Sequence, residues 1–559
     1  MNGRRSILRV SAVVLSGVLL AACTGGEAEQ ETSPRPAPSV AWSTAAPAEV
    51  VDGGTLTVGL LGLPENFNPE HSSNSDIDLS LLLSPTTGSA VRITEDGDWE
   101  VDPSYARAVE VVSQSPLRVR VELNREAVWQ GGTPITADDM IAYVKAHDGS
   151  DDDYDVFSTR GWDTISSVEQ GRDEYEYTVT FDEPIADWPR FVYPALPAAV
   201  SSSPGKFNER YVDRFVPSNG PFIVQEVDRD RGRIVMEPNR RWWGAAPKLD
   251  RIVWQTVDPA QQVAAVAGGE LDVATVQAEG FAALDGQQVD GAAIQVAAGT
   301  DWTQLTMNGA RGPLKQTQVR RAVAAALDRE ALAALSSAPV GAVASVPGSF
   351  VLVPGQHGYV DQSDRIVHDV AAARDLLDDA GWTVPADGTV REREGEPLRL
   401  VMPVPTNTPT IAARARLIAE QLAVVGIGVD LQSVPAEEYY STRIIPLDFD
   451  LATFTHAGSA FPVVDAEALF HPLDSGRNFT GLDDERLAAL WDAASTALSD
   501  EDRSASVQKV DQRLFRDVPI VPLGMVPRVV IVRDGVVNIG ASQFLRPDWT
   551  RVGHRAEDS

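Results

Sequence analysis

Cysteine is nearly absent from this chain, which contains one such residue, Cys23, among 559. A single thiol forms no intramolecular disulfide, and it excludes the paired-cysteine motifs of zinc and redox sites. The sequence also lacks HExxH, GxSxG and GxxxxGK(S/T), and no GxGxxG follows a strand pattern. Its seven histidines are scattered without the spacing of metal ligands. We therefore predict that the protein is not an enzyme, with no catalytic residues, no metal site and no cofactor.

Positive charge is scarce as well. Lys and Arg number 47 against 80 Asp and Glu, which gives a net charge of −33. Such an excess of negative charge argues against nucleic acid or anionic lipid head groups as partners and favours solubility. After residue 22, no apolar run approaches the length of a membrane span.

The first 22 residues have the anatomy of a secretory signal peptide. Arg4, Arg5 and Arg9 precede an uncharged apolar run, 10–22, that is too short to span a bilayer as a stable helix. The sequence LAAC that ends at Cys23 resembles a bacterial lipobox, which implies cleavage before this cysteine and attachment of lipid to it. A cleavable signal in which a cysteine falls by chance is the alternative. Sec and twin-arginine export both stay open.

We predict that residues 23–52 form a flexible tether to the extracytoplasmic face of the cell membrane. The segment is rich in Pro, Ala, Ser, Thr and Glu and has almost no aliphatic residues, so it cannot bury enough surface to fold. Ordered structure is expected to begin near Gly53. The roughly 500 residues that follow are too many for one core, which predicts at least two domains.

Strand and helix patterns alternate along the rest of the chain. RVRVEL at 118–123 and YEYTVTF at 175–181 alternate with period two, as half-buried strands do. Apolar residues recur one helical turn apart in HDVAAARDLLDDAGW at 368–382, where Asp369 can cap the helix and Gly381 can end it. The mixture predicts an α/β protein.

The segment LNREAVWQGGTPITADDM, at 123–140, combines a strand, a turn and a helix start. Gly131 and Gly132 supply the turn, Thr136 can cap, and two aspartates occupy the first helical turn, where the helix dipole favours negative charge. This segment resembles the most recognisable part of the family 5 extracellular solute-binding proteins, the peptide-binding lipoproteins of ABC importers.

Further segments follow in the order of that family: NGPFIV at 219–224, EPNRRWWGAAPKLDRIVWQTV at 237–257, AAVAGGELDVA at 264–274, PLKQTQVRRAVAAALDRE at 313–330 and DFDLATF at 448–454. The resemblance extends from Thr55 to about Met525. It implies a two-lobe, periplasmic-binding-protein-like clamp of type II with an extra inserted subdomain in the first lobe.

The resemblance also implies the domain limits. The first lobe comprises 53–88, 214–300 and 516–553, the inserted subdomain 89–213, and the second lobe 301–515. Ligand is expected in the cleft between the lobes, which closes by a hinge motion.

Three segments reach the cleft in this family: the loop after the first strand, the crossing segment from 301 and the loop from 453. By resemblance, the candidate ligand-binding residues are Asn66, Phe67, Asn68, Trp302, Thr303, Thr455, His456, Gly458 and Ser459. The alternative is that Trp302 is packed at the hinge and that the two asparagines only shape a turn.

One departure from the family concerns the ligand's amino group. Oligopeptide binders of this family carry an aspartate for it, whereas the matching count from Asp450 reaches Ser459, and no acidic residue occurs from Leu451 to Val464. A buried ammonium needs a charged or well-hydrogen-bonded partner. The family also includes binders of nickel chelates and sugars, so the ligand class stays open.

The resemblance implies a monomeric, lipid-anchored binder that passes a peptide or other small solute to ABC permease subunits and their ATPase. SLLLSPTTGS and WEVDPSY add a shorter resemblance to mycobacterial LpqW-type lipoproteins, which are associated with envelope glycolipid synthesis. The alternative function is therefore a regulatory binder of a cell-envelope glycolipid. An extracellular hydrolase is a third hypothesis, but no nucleophile, base and orienting group can be assembled for it.

Overall fold

A computed structural model describes residues 36–74, 77–386, 388–473 and 475–556. The predicted signal peptide and Cys23 lie outside these residues. Within them, no helix combines the length and the apolar character that crossing a membrane requires.

The chain forms 22 β-strands within the described residues. They are β1 Thr55–Leu60, β2 Val91–Ile93, β3 Trp99–Val101, β4 Ala106–Gln114, β5 Leu117–Leu123, β6 Ile165–Gln170, β7 Glu176–Phe181, β8 Phe222–Asp228, β9 Arg233–Pro238, β10 Arg251–Thr256, β11 Val273–Val276, β12 Ala292–Ala297, β13 Trp302–Met307, β14 Glu392–Arg393, β15 Glu396–Pro397, β16 Arg399–Pro405, β17 Gly428–Val434, β18 Leu451–His456, β19 Ile520–Met525, β20 Arg528–Arg533, β21 Val536–Val537 and β22 Gly553–His554.

The α-helices of the described residues number twelve. They are α1 Ile77–Leu83, α2 Ala137–His147, α3 Ala198–Ser201, α4 Pro204–Glu209, α5 Gln262–Ala267, α6 Thr317–Ala326, α7 Arg329–Ser337, α8 Val370–Asp379, α9 Pro409–Val424, α10 Pro462–Glu467, α11 Glu485–Ser495 and α12 Asp500–Asp517. Short 3₁₀ turns connect them, of which Ala278–Leu284 matters below.

The first lobe is built on a seven-stranded sheet with the order β12-β20-β11-β1-β10-β9-β8. Strand β1 lies at its centre, parallel to both β10 and β11. Apolar side chains of β1 and β10, such as Val58 and Trp254, are fully buried in the core of this lobe. The sheet therefore joins three separate stretches of sequence.

The inserted subdomain has its own four-stranded sheet, β4-β5-β7-β6. RVRVEL and YEYTVTF fall on β5 and β7, as the alternating patterns predict. Helix α2 begins directly after Thr136, also as predicted, and the N–H of Thr136 donates to Asp139 Oδ2 at 2.9 Å. The Asp139 carboxylate also accepts from Trp129 Nε1 at 3.0 Å and from Ala198 N at 2.7 Å. One buried aspartate thus fixes the turn, the helix start and α3 together.

The second lobe has a three-stranded sheet, β18-β13-β19, together with the parallel pair β16-β17 and the helices α6 to α9, α11 and α12. The predicted cap of α8 is confirmed, because Asp369 Oδ1 accepts from Ala372 N at 2.9 Å. Gly381 follows the helix with a φ of +83°, the left-handed stop that its position predicts.

The structure differs from the predicted limit of the second lobe at 515. Strand β19 pairs with β13 of the second-lobe sheet along Ile520 to Met525, so the chain rejoins the first lobe only at β20. The prediction missed this because an apolar strand carries no mark of which sheet it enters. The other domain limits stay predictions.

The expectation of a flexible tether up to residue 52 is wrong for residues 36–52. Val40 bridges to Ser542 and Val50 to Arg555, and Ala45 N donates to Asn538 Oδ1 at 2.9 Å. Backbone pairing with the C-terminal segment holds these residues despite their few aliphatic side chains. Residues 23–35 lie outside the described part of the chain.

Candidate ligand cleft between the lobes

The inserted subdomain and the second lobe face each other across a small cavity. Its walls include Trp99 and Pro189 from the subdomain and Leu352, Gln356 and Phe461 from the second lobe. The cavity measures about 30 Å³, which is the volume of roughly one water molecule, whereas small-molecule sites span roughly 300–1,000 Å³. The two sides are therefore closed on each other here, and a peptide-sized ligand requires them to separate.

A buried carboxylate joins the two sides. Asp187 of the subdomain is 3% exposed, and its Oδ2 accepts from the N–H of Val464 at 2.9 Å. Val464 lies in the first turn of α10, so the carboxylate acts as a cap supplied from across the cleft. Burial raises the pKa of Asp187 to about 6. Beside it, Ala186 N donates to Ser495 O at 2.6 Å.

Two ion pairs cross the same boundary at its rim. Arg190 lies 3.2 Å from Asp465, and Arg160 lies 3.2 Å from Glu467. The Arg190–Asp465 pair is partly exposed, so water screens it and we expect it to add well under about 1 kcal/mol to stability.

Four of the candidate residues come together on adjacent strands near the crossing between the lobes. Trp302 pairs with His456, and Thr303 pairs with Thr455, in the register of β13 and β18. The rings of Trp302 and His456 lie 5.2 Å apart. Desolvation lowers the pKa of His456 to about 4, with a contribution from Arg477, so the imidazole is neutral at physiological pH.

Two members of this group have buried side chains. Trp302 is 2% exposed and lies in the core of the second lobe, with its ring 6.4 Å from that of Phe350. Thr303 is 3% exposed and its hydroxyl donates to Gly524 O at 3.2 Å. These contacts favour packing at the hinge for both residues, whereas Thr455 is exposed.

The loop after β18 approaches the crossing segment closely. Gly458 N donates to Asp301 Oδ1 at 3.3 Å, and a Cβ at Gly458 would lie only 2.3 Å from the carbonyl oxygen of Thr300. Glycine is therefore the residue that this approach allows. The hydroxyl of Ser459 lies 3.5 Å from Asp465 Oδ2.

The remaining candidates, in the loop after β1, are engaged inside the first lobe and its subdomain. Asn66 Nδ2 donates to Asn208 O at 2.7 Å, and Asn68 Nδ2 donates to Phe207 O at 3.0 Å. Phe67 stacks on Phe215 with a centroid distance of 4.3 Å. All three candidates are at most 3% exposed. For Asn66 and Asn68 these contacts favour the alternative that they shape the turn, and Phe67 is packed beside them.

Sequence reasoning missed two carboxylates beside the cleft. Asp465 lies one residue beyond the stretch that contains no acidic residue, yet the fold returns it to Ser459. Asp301 precedes Trp302, and only folding brings it to Gly458. Burial raises the pKa of Asp301. A search over a wider window would have found the first, but no sequence signal marks the second.

One group of side chains near the cavity has the composition of a metal site. Asp98, His357 and Asp500 bring one ligand atom each to within 4.8 Å of one another. Two of them are exposed, and Asp500 Oδ1 already accepts from Arg503 at 2.7 Å. Since these groups have partners, we assign them no metal.

The sequence of this chain is similar to those of known solute-binding proteins. The family of bacterial extracellular solute-binding proteins, family 5 (middle region), matches residues 100–481. The oligopeptide-binding protein OppA of Mycobacterium tuberculosis is 30% identical over 516 residues, 91% of this chain and 86% of that protein. The probable monoacyl phosphatidylinositol tetramannoside-binding protein LpqW of the same species is 26% identical over 475 residues, 78% of this chain and 72% of that protein.

The fold has solved counterparts. The structure of the periplasmic EDTA-binding protein EppA superposes with a TM-score of 0.81, at 24% identity, and covers 93% of this chain and 99% of that one. This likeness confirms the predicted α/β, periplasmic-binding-protein-like fold. The curated relatives named above are binding proteins rather than enzymes.

Proposed function

Because the chain belongs to family 5 of the bacterial extracellular solute-binding proteins, we propose that it captures a peptide between its two lobes and delivers it to ABC permease subunits and their ATPase. The observation that carries this proposal is a cavity whose walls come from both sides of a closed boundary and include Ala460 and Phe461 of the loop after β18. The relationship to OppA supports peptide as the ligand class.

The two carboxylates beside the cleft support binding of a ligand's amino group. Asp465 is paired with Arg190 in the closed form, and a ligand ammonium replaces that guanidinium when the cleft opens and refills. Asp301 is a second acceptor, held by the N–H of Gly458. In this proposal the nearby candidates Thr455, His456 and Ser459 contact the ligand, while Asn66, Phe67, Asn68, Trp302, Thr303 and Gly458 hold the shape of the cleft.

Lipid attachment at Cys23 keeps the protein at the extracytoplasmic face of the membrane, close to its permease. A tether raises the effective concentration of binder at the transporter without new contacts. Labelling with an alkyne fatty acid tests this step. We expect label and membrane association in the native chain and neither in the Cys23→Ser variant; a labelled variant would overturn it.

Binding is tested by thermal shift of the full-length chain carrying Cys23→Ser, against pooled peptides, envelope glycolipids and metal chelates. A ligand of the native state raises the melting temperature by mass action. We expect peptides to stabilise the protein. The relationship to LpqW supports a regulatory glycolipid binder as the second candidate, and stabilisation by glycolipids alone would replace our proposal with that one.

A further inference from the structure

Arg414, in the first half of α9, is a buried arginine with few partners. It is 3% exposed, and its Nε donates to the hydroxyl of Thr453 at 2.8 Å. That hydroxyl in turn donates to the carbonyl oxygen of Gln304 at 2.7 Å. Among the residues that the structure describes, no carboxylate oxygen lies within 4.0 Å of the guanidinium, and neither Nη group has a hydrogen-bond acceptor.

The other buried arginines are better satisfied. Arg391 Nη1 lies 2.5 Å from Asp378, and its nitrogens donate to two backbone carbonyls. Arg320 donates to the carbonyls of Leu314 and Asp517 at 2.9 and 3.0 Å. Arg329 donates to the carbonyl of Ile366 at 2.7 Å. Arg414 is the exception among buried arginines in the described chain.

Neither Nη atom is completely enclosed, so the end of the guanidinium keeps contact with solvent and can be reached by a partner. A charge that is largely removed from water favours such a partner. Burial lowers the pKa of Arg414 to about 10, which still leaves the guanidinium charged at neutral pH. The Nη groups offer four N–H donors in a planar fork, the geometry that fits a carboxylate in a bidentate manner.

Arg414 lies on a helix at the contact between the two lobes. Helix α9 of the second lobe packs against the 3₁₀ turn Ala278–Leu284 of the first lobe. Gln277, which directly precedes this turn, has a buried side-chain Nε2 without an acceptor in the described structure. Each lobe thus presents an unpaired donor at the place where the lobes meet, and both await an acceptor.

We propose that Arg414 binds a carboxylate of the ligand, with Gln277 as a second donor from the opposite lobe. The inference rests on the proposed function and narrows its ligand class to solutes that carry a carboxylate. The carboxylate belongs to the C-terminus or an acidic side chain of a peptide, or to an aminopolycarboxylate chelator. Because the donors come from both lobes, the bound carboxylate favours closure.

The test compares two peptides of one sequence, one with a free C-terminal carboxylate and one with a C-terminal amide, by calorimetric titration of the Cys23→Ser full-length chain. We expect the free acid to bind at least roughly tenfold more tightly. Arg414→Gln removes this preference. Arg416→Gln, which changes an exposed arginine on the same helix, keeps it. EDTA serves as a third ligand, and loss of EDTA binding in Arg414→Gln, when neither peptide binds the parent, would assign the carboxylate to a chelator.

The melting temperature of the ligand-free protein separates binding from folding. Arg414→Gln removes an unpaired buried charge, so we expect its melting temperature to equal or exceed that of the parent. If it falls, Arg414→Lys keeps the charge and retains part of the preference for the acid.

The outcomes separate the two proposals. Equal binding of acid and amide by the parent, or a preference that survives in Arg414→Gln, overturns the carboxylate inference and leaves peptide binding intact. If neither peptide binds, peptide capture fails, and EDTA decides whether Arg414 receives a carboxylate: binding lost in Arg414→Gln supports the inference, and no binding of EDTA overturns it.

Discussion

The second lobe meets the rest of the molecule at two places that differ in how they accommodate a buried charge. At the inserted subdomain, Asp187 is buried and hydrogen-bonded to Val464 N at 2.9 Å. At the first lobe, Arg414 is equally buried, but its guanidinium has only the hydroxyl of Thr453. The first contact is complete without a ligand, whereas the second leaves donors unpaired. A hydrogen-bonded carboxyl group thus holds the closed shape at one boundary, and in our proposal an unpaired guanidinium provides affinity for a ligand at the other.

The largest loss of stability is expected when the hydrogen bond between Asp187 and Val464 is removed. In Asp187→Ala the buried N–H of Val464 loses its acceptor, whereas in Asp187→Asn the side-chain oxygen still accepts from it. We expect the alanine variant to be less stable than the asparagine variant by about 1–3 kcal/mol in urea unfolding. The matched pair at exposed Asp182 should show no such gap. Equal stability of the two Asp187 variants would mean that this contact does not hold the lobes.

The same carboxylate makes stability depend on pH. Burial raises the pKa of Asp187 to about 6, above the value of about 3.9 for an unfolded aspartate. The folded state therefore favours the protonated form, and the stability that this gives is full below about pH 4 and is lost as pH rises through 6. Arg190, Arg503 and Asp465 are the charged groups that also act on this carboxylate.

We expect Asp187→Asn, which is neutral at every pH, to remove that loss. Relative to the variant, the parent should lose roughly 1–2 kcal/mol of unfolding free energy between pH 5 and pH 7.5. Urea unfolding at the two pH values measures the difference. Parallel pH profiles for parent and variant would show that the buried carboxylate does not change its protonation on folding.

A substitution in the ion pair between Arg190 and Asp465 is expected to change ligand binding more than stability. Because Arg190 and Asp465 are partly exposed, Asp465→Asn should change the unfolding free energy by less than about 1 kcal/mol. If the carboxylate receives the ligand's amino group, the parent should prefer a free-amine peptide over its N-acetylated form, and the same variant should show a smaller preference because only Asp301 remains as an acceptor. Asp483→Asn, at an exposed position of the same lobe, is the control. A parent without this preference would remove Asp465 from the ligand site.

Local parts of this architecture could be predicted from sequence, and the contacts between lobes could not. The start of α2 after Thr136 and the cap of α8 at Asp369 depend on neighbours within a few residues, so short patterns predict them. Asp187 and Val464 are 277 positions apart, and nothing in either segment marks the pairing. The packing of residues 36–52 also escaped prediction, because it depends on backbone pairing with a distant segment rather than on apolar side chains.

In the candidate site too, local features could be predicted from sequence and contacts between distant residues could not. The crossing strand and the loop after β18 could be located by resemblance, and the structure brings Trp302 and His456 together on adjacent strands. The unpaired state of Arg414 could not be predicted. Apolar residues recur at helical spacing in α9, at Ile411, Ala415, Ile418 and Leu422, but this spacing does not predict that an arginine between Ala413 and Ala415 is buried. The folded structure is needed to show that Arg414 is buried and that its guanidinium has only the hydroxyl of Thr453 as a partner.

The smallest change in ligand affinity is expected from substitution of Glu279, the exposed carboxylate of the 3₁₀ turn that faces Arg414 from the first lobe. Its charge acts on the Arg414 guanidinium, yet it forms no ion pair within 4.0 Å. A ligand carboxylate at Arg414 would be repelled by this like charge, and solvent weakens the repulsion because Glu279 is exposed. We therefore expect Glu279→Gln to tighten binding of a free-acid peptide by about two- to fivefold and to leave the amide unchanged. Glu420→Gln, at an exposed position on α9, should change neither affinity. Weaker binding of the acid by Glu279→Gln would instead mean that Glu279 completes the ion pair of Arg414 in the closed state, and the unpaired contact would then be satisfied by the protein itself.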